Sequence, residues 1–340
     1  MQEDWTPTQV WIADQVERFV HRRLSQPPAI FRDTSNFMGI DRDDVVDLDG
    51  ELYLVTCTEQ ERRFGLEGEP KFWVKRALAL TTGRMHIVKL VFNEVFYAQI
   101  RTQQIKCVRS AEKEGRVLDL TRGDPRFMQG HIVPDSVGNL VRVIEFIHGV
   151  DLLSRLASLN APHEEYFHTR FPEFLARTIA CFEGIQLLHD AGLCHGDIRN
   201  DHILIEHQTG GFKWIDFDLM QDSRDFDVWA LGNILHCVVA KGFVTFREVL
   251  RDRPELLGQL HPEDASVFFP NRVMNLRKIY PYLPAKLNDV LVRFSVGKQP
   301  GYETVRQIVD DLNDCLAGFG RPVALEKAEV ATGEQGQNRR

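Results

Sequence analysis

The sequence predicts an α+β fold in which an antiparallel sheet precedes a mainly helical region. Strand-like apolar runs separated by turn signals occupy the stretch from Leu52 to Phe96. Apolar residues then recur at helical spacing between Phe171 and His189. Two more short apolar runs flank a turn at Gly210–Gly211, which predicts a β-hairpin after the helix.

Composition sets the broad class of protein. The chain has 340 residues, 43% of them hydrophobic, which suffices for one large domain or two lobes. Its net charge of −8 does not favour nucleic acid as a partner. Six scattered cysteines without a C-x-x-C pair favour a reduced, cytoplasmic location and disfavour a zinc site. Charged residues near the start and the lack of a long apolar run predict neither a signal peptide nor a membrane span.

An N-terminal helix is predicted by a capping box. Thr6 and Gln9 have the spacing of such a box, and Pro7 stands at the first helical position. Apolar residues recur at helical spacing from Ile12 onward until Pro27–Pro28 is expected to end the segment. We expect this apolar stripe to pack on the rest of the chain, with partner binding as the alternative.

Three strands are predicted between residues 52 and 92, with a Thr81–Gly83 turn before the third. The turn before the second strand contains Gly65 and Gly68. Glycines at this position can bring backbone amides close to phosphates, but two neighbouring acids make an ordinary hairpin loop an equal alternative.

Two carboxylates are predicted to meet at the later hairpin. Asp197 lies in the loop before its first strand, and Asp216 lies at the end of its second strand. Such a pair suits metal-assisted phosphoryl transfer, in which one acid orients the attacking hydroxyl and the other holds the metal on the phosphates. The alternative is a solvated hairpin with incidental acids.

The stretch from His195 to Asp218 resembles the catalytic and metal-binding loops of the protein-kinase superfamily, H-R-D-x-x-x-x-N and D-F-G. The matching positions are His195, Asp197, Ile203, Leu204, Asp216 and Phe217. Gly196 replaces the Arg, His202 replaces the Asn, and Asp218 replaces the Gly. The H-G-D form is similar to that of aminoglycoside and lipopolysaccharide-sugar kinases.

The resemblance implies a bilobal kinase-like fold with a phosphate-pairing lysine on the third strand. Lys75 and Lys89 each end a segment that resembles the family's V-A-I-K motif. The hairpin at Thr81–Gly83 favours Lys89, because the lysine belongs on the strand after that turn. Its partner should be a glutamate on a helix predicted over residues 107–120, where we choose Glu114 over Glu112.

The other roles also follow from the resemblance. Asp197 would orient the acceptor hydroxyl, Arg199 would offset γ-phosphate charge, and Asp216 would hold Mg²⁺ with ATP as the cofactor. At the position of the family's metal-binding Asn, the imidazole of His202 would suit Mn²⁺ better than Mg²⁺. Asp218 would supply a compensating carboxylate to the metal if it turns inward, and would otherwise face solvent.

Residues 140–147 resemble the kinase hinge. Backbone groups of Glu145 and Ile147 would bind adenine there, and Ile144 would line the pocket. Asp227 resembles the aspartate that accepts hydrogen bonds from the catalytic loop, and His195 would brace that loop.

The connection between Asp216 and Asp227 spans 11 positions and contains no A-P-E, with Ser223 as its hydroxyl. A segment this short disfavours a phosphorylated platform for peptide docking. The acceptor hydroxyl can therefore belong either to a protein or to a small molecule.

The predicted organisation is an N-terminal helical extension (1–40), an N-lobe (41–147), a C-lobe (148–320) and a disordered tail (321–340). The predicted function is that of an ATP-dependent Ser/Thr-kinase-like phosphotransferase. A sugar or aminoglycoside-like kinase and a nucleotide-binding pseudokinase scaffold are the alternatives.

Overall fold

The computed structural model describes residues 5–61, 68–100, 103–220, 225–298 and 301–319. Gly65, Ser223 and the predicted tail lie outside these residues. Within them, no helix is both long enough and apolar enough to cross a membrane. The fold is α+β, with strands concentrated before residue 146 and helices after residue 151, so the predicted class is confirmed.

The first part of the chain forms a seven-stranded sheet in the order β1-β2-β3-β4-β5-β9-β8. Its strands are β1 (Ile30–Phe31), β2 (Val45–Leu48), β3 (Glu51–Glu61), β4 (Glu69–Ala79), β5 (Met85–Lys89), β8 (Gly130–Pro134) and β9 (Leu140–Glu145). Only the β1–β2 pairing is parallel in this sheet as described. The three predicted strands are β3, β4 and β5, and the predicted turn at Thr81–Gly83 joins the last two.

The N-terminal helix α1 (Pro7–Val20) begins at the predicted capping box of Thr6 and Gln9. Its buried Ile12 and Val16 pack on one face of the sheet, as expected for core packing. The helix ends at Val20 because His21 adopts a left-handed conformation, so the predicted extension to Pro27–Pro28 is wrong. The domain boundaries themselves stay predictions.

Between β5 and the next helix, the chain forms an antiparallel hairpin of β6 (Val95–Ile100) and β7 (Gln103–Arg109). Helix α2 (Ala111–Leu120) follows, capped by the Ser110 side chain. The prediction of a helix from residue 107 is therefore wrong for its first four residues. Apolar residues at 107 and 108 suit a strand as well as a helix, because so short a run carries no decisive period.

The second part is mainly helical. Its helices are α3 (Leu152–Ala157), α4 (His163–Thr169), α5 (Phe171–Asp190), α6 (Asp225–Ala240), α7 (Phe246–Asp252), α8 (Ala285–Val292) and α9 (Val305–Leu316). Short strands β10 (Gly149–Asp151), β11 (Ile203–Glu206) and β12 (Phe212–Trp214) form a small sheet, and β13 (Leu219–Met220) pairs with β7. The predicted helix α5 and the β11–β12 hairpin are both confirmed.

One large apolar core fills the helical part around α5, α6 and α9. It continues to Ile144 at the end of β9 and to Val117 of α2, which joins the two parts behind the candidate site. Separate apolar clusters cover the sheet, one of them under α1. The acids of the later hairpin therefore stand at the junction between a packed helical body and the sheet that carries Lys89.

Candidate active site

Lys89 is the last residue of β5, which lies between β4 and β9 in the sheet. Its Nζ lies 2.8 Å from Glu114 Oε1, 2.8 Å from Asp216 Oδ1 and 3.2 Å from Asp218 Oδ2. Burial lowers the pKa of the ammonium, but the charges of Asp216, Asp218 and Glu114 outweigh burial and raise the pKa above its ordinary value. Lys89 is therefore a permanently charged group that joins the sheet, α2 and the segment after the β11–β12 hairpin.

Glu114 is fully buried on α2. One carboxylate oxygen receives the Lys89 ammonium, and the other lies 3.1 Å from Nε of Arg142 on β9. The Lys89-side oxygen also accepts the backbone N–H of Phe217 at 3.3 Å. The structure thus contains the lysine–glutamate pair that the resemblance implied, with Glu114 and not Glu112 as the partner.

Asp216 follows β12 in a left-handed backbone conformation, with φ of 66°. Its Oδ2 lies 3.4 Å from Lys71 Nζ and 3.6 Å from His202 Nε2, while Oδ1 faces Lys89. Burial raises the pKa of Asp216, but the surrounding cations, Lys89 foremost, hold it well below its usual range. The carboxylate is therefore ionised and turned toward positive charge.

His202 lies between the two predicted acids. Its Nδ1 is 2.7 Å from the carbonyl oxygen of Asp197, which can only accept a hydrogen, so Nδ1 carries one. The same nitrogen is 3.7 Å from the Asp197 carboxylate, while Nε2 faces Asp216. One buried imidazole thus links the loop of Asp197 with Asp216.

Asp218 turns inward and is 3% exposed, so the expectation that it might face solvent is wrong. Oδ1 lies 2.9 Å from Arg109 Nη1, and Oδ2 faces Lys89. Both oxygens therefore serve as counter-ions in this arrangement. A metal role for Asp218 stays a prediction.

Arg199 lies beside Asp197, with Nη1 3.8 Å from the Asp197 carboxylate. Asp201 holds the same guanidinium through a hydrogen bond of 3.0 Å to Nε. The Arg199 guanidinium therefore lies beside the carboxylate of Asp197, the acid that is predicted to orient the acceptor hydroxyl.

Asp227, buried in the first turn of α6, holds the loop that carries Asp197. Its carboxylate accepts the backbone N–H groups of His195 at 2.7 Å and Gly196 at 2.9 Å. The predicted hydrogen bonds from the loop to Asp227 are confirmed. Burial lowers the pKa of His195 to about 3, so its neutral Nδ1 can accept the Asp197 N–H at 3.3 Å. These contacts agree with a bracing role for His195.

The predicted hinge is the end of β9 and the residues after it. Ile144 is buried, and the partly buried Ile147 packs against the main core. The Glu145 N–H donates to the Gln129 carbonyl at 2.8 Å, so this N–H is already occupied. Binding of a base by backbone groups of Glu145 and Ile147 stays a prediction. Gly68 immediately precedes β4, the strand that carries Lys71.

Three cations of this site were missed by sequence reasoning. Lys71, Arg109 and Arg142 neutralise Asp216, Asp218 and Glu114 respectively. Each lies on a strand, and Arg142 lies within the hinge-like stretch but was given no role there. The available signal was weak: Lys71 follows the glycine turn closely, and Arg109 immediately precedes the cap of α2.

The donor set suits a metal that arrives with phosphate. Among the described residues, no three His, Cys, Asp or Glu side chains are grouped to hold a metal ion. Mg²⁺ commonly uses one or two carboxylates together with substrate phosphates and water. The Asp216 carboxylate would supply one such hard oxygen ligand, so the residues fit a phosphate-borne ion.

Comparison with known proteins supports the resemblance. The chain is 27% identical over 143 residues to human protein kinase C eta type, covering 42% of this chain and 19% of the relative. It is 26% identical over 156 residues to a putative ribosomal protein S6 kinase alpha-2 of Caenorhabditis elegans, covering 45% and 18%. It is 28% identical over 153 residues to CBL-interacting protein kinase 17 of Oryza sativa subsp. japonica, covering 45% and 30%. The chain thus spans less than a third of the length of these relatives.

No family model matches the chain. The crystal structure of a mutant Mycobacterium tuberculosis PknI kinase domain aligns with 78% of this chain and 96% of its own, at 16% identity and a TM-score of 0.46. The predicted resemblance to the protein-kinase superfamily is confirmed by the curated relatives, which are protein kinases.

Proposed function

We propose that the protein is an ATP-dependent phosphotransferase of the Ser/Thr-kinase-like superfamily that moves the γ-phosphoryl group to a hydroxyl acceptor. The observation that carries the proposal is the position of Lys89 between Glu114 and Asp216, with Asp197 joined to the same cluster through His202. In phosphoryl transfer the protein mainly positions groups and neutralises charge, and this cluster offers both.

The roles follow from the charges and contacts. Lys89, fixed by Glu114, would pair with phosphate oxygens, and Asp216 would hold the Mg²⁺ that ATP brings. Asp197 would accept a hydrogen bond from the acceptor hydroxyl and orient it. Arg199, 3.8 Å from the Asp197 carboxylate, would offset charge on the transferred group.

The base of ATP would lie against Ile144 and the carbonyl of Glu145, with Ile147 at the edge of the cleft. Gly65 and Gly68 would let the turn before β4 approach the phosphates. Lys71 would add a second cation there, because its ammonium already lies 3.4 Å from Asp216. ATP affinity should therefore depend on the ends of β4, β5 and β9 together.

A small-molecule acceptor is the second candidate. It is favoured by the H-G-D form and by the step of only 11 positions from Asp216 to Asp227, which leaves little chain for a peptide platform. A pseudokinase scaffold is the third, motivated by His202 in place of the family's Asn.

The test is ATP turnover by the full chain with Mg²⁺ or Mn²⁺ and a panel of peptide, aminoglycoside and sugar acceptors. Asp197→Asn should lower turnover by at least about 1000-fold, since it removes the acid that orients the hydroxyl. Glu206→Gln is the matched control, because Glu206 lies on neighbouring β11 and pairs with Lys213 instead. Equal turnover of wild type and Asp197→Asn would contradict the proposal, and nucleotide binding without turnover would favour the scaffold.

A further inference from the structure

Lys113 precedes Glu114 on α2 and is 5% exposed. Its ammonium donates hydrogen bonds to the carbonyl oxygens of His195 at 2.7 Å and Leu219 at 2.5 Å. The first carbonyl belongs to the loop of Asp197, and the second follows Asp216 by three residues. One side chain therefore bonds to both acid-bearing segments from the helix that carries the partner of Lys89.

Gly196 allows the two acid-bearing segments to approach each other closely. Its φ is 87°, a conformation that side-chain-bearing residues rarely adopt. A methyl group at this position would overlap the carbonyl oxygen of Leu219 and lie 3.3 Å from Lys113 Nζ. The glycine of H-G-D thus lets the Leu219 backbone rest directly on the loop, where the ammonium joins the two.

The segment after Asp216 is held to the same neighbourhood by its backbone. The Ser110 N–H donates to the Asp218 carbonyl at 2.7 Å, just before α2 begins. Leu219 and Met220 then pair with Arg109 and Val108 of β7. These contacts need no phosphorylated residue.

Burying an ammonium on neutral carbonyls is costly. Desolvation lowers the pKa of Lys113, and among the described residues its ammonium contacts these carbonyls and forms no ion pair with a carboxylate. Hydrogen bonds from a charged donor are stronger than neutral ones and recover part of that cost. An apolar side chain of similar length would avoid the cost but would not tie the loops to the helix.

We propose that Lys113 is a positioning residue that holds α2 where Glu114 reaches Lys89, by bonding the helix to the loops of Asp197 and Asp216. This inference rests on the proposed phosphotransferase function. The position of the helix would then be set by hydrogen bonds that are always present, not by phosphorylation of the short segment between Asp216 and Asp227.

The decisive experiment is a double-mutant cycle of Lys113→Met and Glu114→Gln in the full chain, with kcat and the KM for ATP measured for each variant. We expect Lys113→Met to lower kcat about 30-fold and Glu114→Gln about 100-fold, with smaller changes in KM. If Lys113 acts through Glu114, the double variant should be no slower than Glu114→Gln alone. Lys106→Met, at an exposed lysine on β7, is the matched control and should leave kcat unchanged.

Two kinetic outcomes would overturn the inference. One is an unchanged kcat in Lys113→Met, and the other is a double variant whose loss equals the product of the two single losses, about 3000-fold, as for independent sites. A merely structural lysine would give the second result.

A second variant guards against misfolding and against failure of the proposed function. Lys113→Gln replaces the ammonium with a shorter, neutral amide, and backbone hydrogen exchange can be compared with wild type whether or not the protein turns over ATP. We expect faster exchange in α2 and at residues 195–197 together, because both lose the same anchor. Faster exchange in α2 alone would overturn the inference. Absence of turnover in wild type would sink the proposed function but leave this measurement decisive.

Discussion

Lys75 and Lys89 lie on neighbouring strands of one sheet, and both are buried, yet their surroundings are opposite. In the β4–β5 register Val74 pairs with Lys89, and Lys75 pairs with Val88. Paired residues lie on the same face of a sheet and successive residues alternate, so the two lysines project from opposite faces. Lys89 meets three carboxylates, whereas the Lys75 ammonium has the Thr58 hydroxyl at 3.0 Å. Burial lowers the pKa of Lys75, while the acids raise that of Lys89.

The comparison shows that a short motif does not identify which lysine meets the acids of the candidate site. The letters before the two lysines, F-W-V and H-I-V, are equally strand-like. What differs is the face of the sheet, which follows from the turn at Thr81–Gly83 and the alternation of side chains along β5. A charge matched by three acids at the junction of two lobes suits phosphate binding, and a charge with one hydroxyl partner does not.

The largest effect is expected at Lys89, the lysine whose charge is matched by three acids. Lys89→Arg keeps the charge but not the shape of the ammonium, so turnover should fall at least about 100-fold, roughly 2.7 kcal/mol of barrier, and ATP affinity should fall with it. Lys75→Met is the matched variant on the other face. It removes a poorly compensated charge and should leave turnover within about threefold, with unchanged or higher thermal stability. Calorimetric titration with ATP and a thermal melt check both.

A weaker ATP affinity in Lys75→Met together with an unchanged one in Lys89→Arg would reverse the assignment of the two faces.

A smaller effect is expected at Asp218, one of the three acids on Lys89. Asp218→Asn should lower turnover about 10-fold, because Lys89 and Arg109 lose part of their counter-charge. If Asp218 is a counter-ion, the loss should be equal in Mg²⁺ and Mn²⁺. Glu94→Gln, at the more exposed partner of Arg109, is the control and should change turnover by less than about threefold.

A much larger loss in Mg²⁺ than in Mn²⁺ would instead give Asp218 the metal role. His202→Asn, measured in the same two metals, would then be expected to improve the use of Mg²⁺.

The last prediction extends the comparison to the stability of the fold, through a buried histidine that, like Lys75, forms no ion pair with an acid among the described residues. Burial lowers the pKa of His236 to about 3, while an unfolded histidine titrates near about 6.5. The folded protein therefore stays unprotonated where the unfolded chain binds a proton, so stability is complete above about pH 6.5 and declines as the pH falls toward about 3. The slope contributed by His236 should approach about 1.4 kcal/mol per pH unit between about pH 6 and 5.

Urea unfolding at pH 7.5, 6 and 5 measures this slope. His236→Gln should flatten it by nearly one proton, and His207→Gln, at an exposed histidine, should leave it as in wild type. An identical slope in His236→Gln and wild type would contradict the pKa shift.

Much of the fold and part of the site could be predicted because the evidence was local. Thr6 and Gln9 start α1 by capping, and Asp227 meets the loop of Asp197 at the spacing that the motifs give. The bonds from Lys113 to Leu219 and from Arg109 to Asp218 could not be predicted, because they join residues more than 100 positions apart whose approach depends on the whole tertiary fold. The start of α2 was misplaced because a short apolar run fits both a strand and a helix.

The wide separation of these partners has a consequence for biosynthesis. A ribosome releases Lys89 127 residues before Asp216, and Arg109 109 residues before Asp218. Until then, among the described residues, Lys89 has the carboxylate of Glu114 on α2, which Arg142 also shares. An ammonium without its counter-charge resists dehydration, so the face of the nascent sheet that carries Lys89 stays hydrated. This face is buried only after the second half of the polypeptide has left the exit tunnel.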